Sequence, residues 1–327
     1  MTAQETRLPR HEGRYWRVRK VLDRPDFGLL VAWLVIMLVF GMLAPYFLRT
    51  RNIINIARDS SILFVVSAGM TIALIGGGLD LSVAAVMAVA GVMAGWAFAR
   101  HIPMPLASLI GILAGMLVGA INGLLITRGR INPLIATLGT MGLFRGLCYA
   151  WTGGQQLPIH EAAFRFARFQ PWGIPMPIVI MVVVLLAVQY VLAQTRFGRH
   201  LYAVGRNPNA ARQAALNVER IRLWIYVSSA GLAAIAGIVG ASVLGLQDPG
   251  QAVGTEMDVT TAVLLGGASL SGGSGTILGT LVGTFFMATM ANGMIGMGIH
   301  PEWQYVLRGA LLVAAVVIGQ WRAGGYR

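Results

Sequence analysis

The chain has 327 residues, 56% hydrophobic and only 11% charged, against about 25% charged in an ordinary soluble domain, which excludes a soluble globular protein. The first 26 positions hold 11 of the 37 charges, leaving 26 for the other 301 residues. Net charge is +13, but the basic residues lie in short clusters between apolar runs, where they report membrane topology rather than a nucleic-acid surface. Lys20 is the only lysine.

In chain order, residues 1–26 read as a basic cytoplasmic tail. The apolar run 27–48 that follows is longer than the ~7–15-residue core of a cleavable signal peptide, so it is the first expected span. Taking about 20 apolar residues per crossing, ten segments emerge: 27–48, 62–79, 82–99, 105–126, 133–151, 176–193, 223–246, 259–271, 275–292 and 303–321. The eighth is too short to cross alone as a regular helix. Gly76-Gly77-Gly78-Leu79-Asp80 and Ser271-Gly272-Gly273-Ser274 interrupt the hydrophobicity. Such breaks are tolerated at membrane depth only inside protein or beside a water-filled cavity, which leaves open whether segments 76–82 and 266–274 are re-entrant.

With the N-terminus inside, the cytoplasmic segments carry 17 of the 25 basic residues, the outer ones six (Arg49, Arg51, Arg58, Arg100, Arg165, Arg168), and Arg145 and Arg308 fall within spans. The expected fold is therefore all-α: a polytopic membrane helix bundle of about ten transmembrane helices with both termini cytoplasmic, one transmembrane domain over 27–321, a cytoplasmic loop at 194–222 and a short cytoplasmic C-terminus at 322–327.

Glycines recur every fourth residue at Gly111, Gly115, Gly119 and Gly123, and at Gly275, Gly279 and Gly283, a spacing that lets neighbouring helices approach closely. Gly77-Gly78-Leu79-Asp80-Leu81-Ser82 echoes Gly266-Gly267-Ala268-Ser269-Leu270-Ser271, and each glycine row ends in Asn-Gly (Asn122-Gly123, Asn292-Gly293), which hints at an internal duplication. The unequal distances from hexad to glycine row, 28 and 3 residues, speak against a strict one.

Gly267 to Ser274 follows the phosphate-loop spacing, but Gly273 stands where that motif needs its lysine. No nucleotide site is expected, and any pumping energy comes from another subunit or an ion gradient. Gly272-Gly273-Ser274-Gly275 also reads as the serine motif of an intramembrane hydrolase with His300 as base. A dyad needs contact at about 3 Å, whereas the span between them is about 27 Å long at 1.5 Å per residue. His11, His101, His160 and His200 are scattered and Cys148 is alone, so no catalytic, metal or cofactor-binding residues are expected.

Ionisable groups inside a span cost about 2.5–3.5 kcal/mol on insertion scales and mark function by default. Asp80, Arg145 and Arg308 qualify. Asp80 has two readings, capping or internal pairing at the start of the next helix or lining a polar path, and the arginines likewise pair structurally or serve a path, with Gln304 one turn before Arg308. In the loop 194–222, Asn207-Pro208 can start a short helix, which serves either as a positive-inside anchor or as a docking element for a soluble partner.

Four motifs together give the chain a family resemblance: Gly77-Gly-Leu-Asp80-Leu-Ser82-Val83; Ala136-Thr-Leu-Gly-Thr-Met-Gly-Leu-Phe-Arg145-Gly146; the loop Thr195 to Val218; and Ala262 through Gly275 followed by Asn292-Gly293. Over about residues 27–321 the sequence resembles the permease subunits of bacterial ABC importers of the ribose/monosaccharide class, which includes autoinducer-2 and other sugar permeases. The resemblance implies a multi-pass protein of the inner membrane that is not itself an enzyme. Its implied partners are a cytoplasmic ATP-binding subunit that uses the ATP, a periplasmic solute-binding protein and a second permease copy or sister permease. It also implies that the loop helix docks on the ATPase, with Gly198, Arg199, Gly205, Arg206, Asn207, Ala210, Ala211 and Arg212 as the coupling residues. Three positions depart from the family pattern: Arg206 inside the usual GGN, Ala215 where a glycine follows Ala210-Ala211, and Ala84 after Leu81-Ser82-Val83.

The expected function is inward movement of a monosaccharide or similar small polar solute, with Asp80, Ser82, Asn122, Thr137, Thr140, Ser269, Ser271 and Asn292 as candidate path residues. An ion-coupled secondary carrier and, more remotely, an intramembrane serine hydrolase are the alternatives.

Overall fold

A computed structural model describes residues 25–159 and 162–322. Most of the expected N-terminal tail, the last five residues, His11 and His160 lie outside them. The described chain is helical apart from one two-residue β-bridge and connecting turns. In order, the helices are α1 (Pro25–Leu43), α2 (Thr50–Ile75), α3 (Val83–Phe98), α4 (Met104–Thr127), α5 (Pro133–Thr152), α6 (Met176–Gln194), α7 (Arg196–Arg206), α8 (Pro208–Gln213), α9 (Val218–Leu244), α10 (Thr255–Leu265), α11 (Ile277–Gly296) and α12 (Pro301–Arg322). Six of these are long and apolar enough to cross a membrane: α2, α4, α6, α9, α11 and α12. Part of α1 and all of α3 are shorter apolar helices.

Every expected span overlaps one of these helices, but several boundaries differ; the first helix, for one, ends at Leu43 rather than 48. The second helix begins at Thr50 rather than 62, because Arg58 and Asp59 lower the hydropathy without breaking the helix; they pair with each other at 3.0 Å on its surface. Helix α9 begins at Val218 rather than 223, where Asn217 caps it by accepting from the Arg220 amide at 2.9 Å. The eighth segment is α10, only 11 residues or about 16 Å long.

Helix starts and stops follow local chemistry. Proline occupies the first turn of α4, α5, α6 and α8, where its missing N–H costs nothing, and Gly153 and Gly245 end α5 and α9 in the left-handed conformation. The centre of the bundle is α3, whose alanines, valines and glycines are almost all buried against α4, α5 and α9. Small side chains make that approach possible. A Cβ on Gly115 would meet the Ala234 side chain at 2.6 Å and one on Gly123 the Leu223 side chain at 2.6 Å, so the glycine row of α4 faces α9. In the second row only Gly279 and Gly283 belong to a helix. They face Gly266 and Ala262 of the α10 end, while Gly275 precedes α11 with φ +151°.

The two hexads do correspond, one residue out of the register their sequences suggest. Helix α2 ends with Gly77 N–H on Leu74 O and Gly78 N–H on Ala73 O; α10 ends with Gly267 N–H on Leu264 O and Ala268 N–H on Val263 O. Both are Schellman ends with the left-handed residue at Gly77 (φ +80°) and Gly267 (φ +90°). Gly77 therefore matches Gly267, and Asp80 matches Leu270. The helices that follow the two breaks are α3 and α11, so the glycine rows of α4 and α11 were never counterparts, which explains their unequal distances.

The end of the bundle carrying α7 and α8 is called the inner end below. At the opposite, outer end, Leu157–Pro158 pairs antiparallel with Leu246–Gln247. There Ala167 N–H donates to Ser242 Oγ at 2.9 Å, seating the segment after α5 on the end of α9.

Candidate functional site

Thr195 starts α7 by accepting from the Gly198 amide at 3.2 Å. The helix is sharply two-faced: Gly198, Leu201, Val204 and Gly205 are buried, while Arg196, Arg199, Ala203 and Arg206 are exposed. The buried glycines allow backbone contact. A Cβ on Gly198 would collide with the carbonyls that end α6, and one on Gly205 with the Ile75 carbonyl at the end of α2. That same carbonyl accepts from the Gly273 amide at 2.8 Å. A Cβ on Gly272 would lie 2.7 Å from Gly205 O and 2.8 Å from Gly77 Cα. Tyr202 adds a hydrogen bond from its hydroxyl to Gly275 O at 2.9 Å, and burial pushes its pKa above the usual tyrosine value, so it remains a donor. One helix thus touches both chain breaks through backbone.

Asn207 caps α8, its side-chain oxygen accepting from the amides of Asn209 and Ala210 at 3.0 Å each. Of the eight expected coupling residues, Gly198, Gly205 and Ala211 face inward; Arg199, Arg206, Asn207, Ala210 and Arg212 face outward. Arg212 already pairs with Glu219 at 2.8 Å. Ala215, where the family pattern has glycine, takes φ +59°, a left-handed conformation that favours glycine.

Above the first break, five candidate path residues form a single buried hydrogen-bond chain. Asp80 Oδ1 accepts from Ser82 N–H at 3.1 Å and from Ser82 Oγ–H at 2.6 Å, and its Oδ2 accepts from Ser229 at 2.8 Å. Asn122 donates to Ser82 Oγ at 2.8 Å and accepts from Thr140 at 2.6 Å; the Thr140 hydroxyl also lies 3.2 Å from Thr137 O, and Thr137 donates to Pro133 O at 2.8 Å and reaches Leu79 O at 3.4 Å. Asp80, Ser82, Asn122, Thr137 and Ser229 have no exposed surface. Asp80 does not cap α3, whose first residue is Val83. It closes a turn on Ser82 and ties the break to α9, so the pairing reading is the one this geometry supports.

The whole chain between α2 and α12 falls within one family: residues 52–316 match the family described as the permease component of the branched-chain amino acid transport system. The chain belongs to this permease family. Among its relatives is the ribose import permease protein RbsC of Escherichia coli, 34% identical over 296 residues, which cover 88% of this chain and 92% of the relative. RbsC of Bacillus subtilis is 35% identical over 294 residues, with 89% and 91% covered. The L-arabinose ABC transporter permease protein AraH of Azospirillum brasilense is 36% identical over 296 residues, with 90% and 87% covered. The permease is accordingly a multi-pass membrane protein built as a helical bundle.

In this permease Ser269 and Ser271 lie apart from the Asp80 chain. With Ser274 and Gln320 they form the polar edge of a cleft of about 530 Å³ whose remaining walls are apolar residues of α1, α10, the second break, α11 and α12. Asn292 lies towards the outer end, in a reciprocal pair with Asn52 at 2.8 and 3.1 Å. Arg145 holds the loop between α9 and α10 by donating to Pro249 O at 2.9 Å and Gln251 O at 2.6 Å. Arg308 pairs with Asp258 at 3.1 Å rather than with Gln304. Ser274 and His300 are separated by all of α11, and His300 instead contacts Glu302; this geometry argues against a serine hydrolase. The phosphate-loop look-alike follows a helix, not a strand, and its glycines serve the backbone contact with α7.

Sequence reasoning missed Ser229, Asp258 and Gln251. Asp258 fell one residue before an expected span that was drawn to begin with apolar residues. Ser229 and Gln251, the latter buried and donating to Gly237 O at 2.9 Å, carry no local signal, since what they contact lies elsewhere in the chain.

Proposed function

We propose that the chain is the membrane subunit of an ATP-driven importer that moves a monosaccharide or similar small polar solute inward across the bacterial inner membrane. It crosses about ten times, α10 and the segment 266–276 together making the eighth crossing, and both termini are cytoplasmic. The observation that carries this reading is the two-faced α7. Its glycine face lies on both helix breaks, and its outer face is a short arginine-edged surface of small residues, free to seat on a soluble subunit. Force applied there is transmitted through backbone. ATP is bound and hydrolysed by that partner subunit, solute is delivered by a periplasmic binding protein, and a second permease copy or a sister permease completes the path. The relatives' ribose and arabinose names support a sugar as cargo. The polar edge at Ser269 and Ser271 suits a conduit that must release what it binds; the Asp80 chain, closed on itself, holds the first break in shape.

The test is uptake of radiolabelled D-ribose and L-arabinose into proteoliposomes containing the permease with its ATP-binding subunit and binding protein. Accumulation that requires ATP and persists when the proton gradient is collapsed is the expected result. Uptake driven by a proton or sodium gradient without ATP would overturn the reading in favour of a secondary carrier.

A further inference from the structure

Towards the outer end, α2, α10, α11 and α12 enclose a cleft of about 190 Å³, room for several waters or one small solute. Four polar side chains converge on it: Asp59 of α2, Asp258 of α10, and Gln304 and Arg308 of α12, over a floor that includes Met287 and Met290 of α11. Their hydrogen-bonding capacity is largely unspent. Arg308 Nε lies 3.1 Å from Asp258 Oδ1, yet the two are not aligned as a hydrogen bond, and that buried oxygen has no donor. Among the described residues no protein group accepts from the terminal nitrogens of Arg308 or bonds the Gln304 amide, and Asp59 uses one oxygen, on Arg58.

Asp258 Oδ1 is closed to solvent and turned to the guanidinium, so a molecule that brings hydroxyl groups meets the accessible parts of the lining: Asp59, 55% exposed, the 25% of Arg308 and the 16% of Asp258 that stay open. The lining offers acceptors (two carboxylates) and donors (a guanidinium and an amide) around an apolar floor, matching the hydroxyls and the C–H face of a sugar ring. Each carboxylate has an arginine beside it, Arg58 on Asp59 and Arg308 on Asp258, so the site is balanced in charge and suits a neutral solute. We propose that this cleft is a low-affinity site for a neutral polyhydroxy solute of monosaccharide size, occupied on the outer side before passage. The proposal rests on the import reading above and adds a recognition site within the permease itself.

The test uses full-length permease in lipid nanodiscs and saturation-transfer NMR with D-ribose and L-arabinose as probes, with inorganic phosphate and ethanolamine as controls. Wild type is expected to transfer saturation to at least one sugar and to neither control. Gln304→Ala, which breaks no hydrogen bond among the described residues, should weaken that binding about fivefold, the equivalent of one neutral hydrogen bond, and raise the KM of reconstituted uptake by a similar factor. Asp258→Asn should weaken it further, and if that variant does not fold, Gln304→Ala carries the test. Sugar binding unchanged in Gln304→Ala, no sugar binding to wild type, or ethanolamine binding in place of sugar, the mark of a lipid headgroup pocket, would each overturn the proposal. ATP-driven sugar uptake alongside any of these leaves the import reading standing, whereas no uptake of either sugar overturns both.

Discussion

Replacing Gly205 by alanine tests the contact between α7 and the two breaks. The added methyl would collide with Ile75 O and lie 2.7 Å from the Gly273 nitrogen, both backbone atoms, so no flexible side chain can swing aside. Overpacking of this kind costs about 1–3 kcal/mol. Prising the two segments apart instead would break the 2.8 Å hydrogen bond between them, at about 1–3 kcal/mol for the group left unpaired. Either relief alone is a sizeable share of a stability margin of roughly 5–15 kcal/mol. Moving α7 off the breaks is the lesser cost, since it leaves the core around α3 and α9 intact. The Gly205→Ala permease should therefore still co-purify with its ATP-binding subunit, because Arg199 and Arg206 remain on the outer face, but solute moved per ATP should fall severalfold and the melting temperature should drop. Gly231→Ala, whose methyl would meet only the Met116 side chain at 3.4 Å, is the control and should change neither. Wild-type coupling and wild-type melting in Gly205→Ala would refute the argument.

Asp80→Leu removes the acceptor of three buried donors and should cost about 2–6 kcal/mol, at 1–3 for each of at least two orphaned groups; Asp80→Asn should cost less than half as much, and equal thermal unfolding of the two variants would contradict the network. Charge reversal at Arg206 and Arg212 should weaken association with the ATP-binding subunit without unfolding the bundle. The exchange of Arg212 and Glu219, which restores a surface pair worth at most about 1 kcal/mol, should rescue stability but not association, as a pull-down would report. Ala215→Gly relieves a left-handed alanine and should stabilise the chain by about 1 kcal/mol, read as a raised melting temperature. In a chain with Cys148 replaced, a cysteine at position 271 should react with a membrane-impermeant maleimide from the α7 side at a rate that changes when the partner subunit binds ATP, whereas one at position 82 should stay protected throughout; identical behaviour would remove the distinction between the breaks.

Much of the fold was legible because a membrane span is written as a run of composition, and ten runs gave ten helices. The errors came where charge and helix continue together. Arg58 and Asp59 sit on the surface of α2, and a hydropathy rule that stops at charges cut twelve residues from it. The site was legible only in pieces. Asp80, Ser82, Asn122, Thr137 and Thr140 could each be picked out as polar groups in apolar runs, but their assembly into one chain depends on α3, α4 and α5 meeting, and on Ser229 arriving from α9, 149 positions away. Gly205 was marked by its motif alone. That a Cβ there would meet the end of α2 is a three-dimensional fact with no trace in local sequence.

The two breaks also show how one repeat can serve two purposes. Both begin with the same Schellman turn, yet the first carries Asp80 where the second carries Leu270. The first break runs six residues from its left-handed glycine to the next helix, at Val83, and its carboxylate gathers donors from Ser82 and from Ser229 of α9, which fixes it against the core. The second runs ten residues to Ile277, is held through Gly273 and Gly275 rather than by a buried carboxylate, and leaves Ser269, Ser271 and Ser274 on the edge of an open cleft. Because the Ile75–Gly273 hydrogen bond joins them and α7 rests on both, a push on α7 reaches the pair as a unit. The second has the longer run and the open cleft beside it. On the import reading proposed above, the anchored break would act as the fulcrum and the serine-lined break as the moving part, with the proposed polar edge on the element nearest the push.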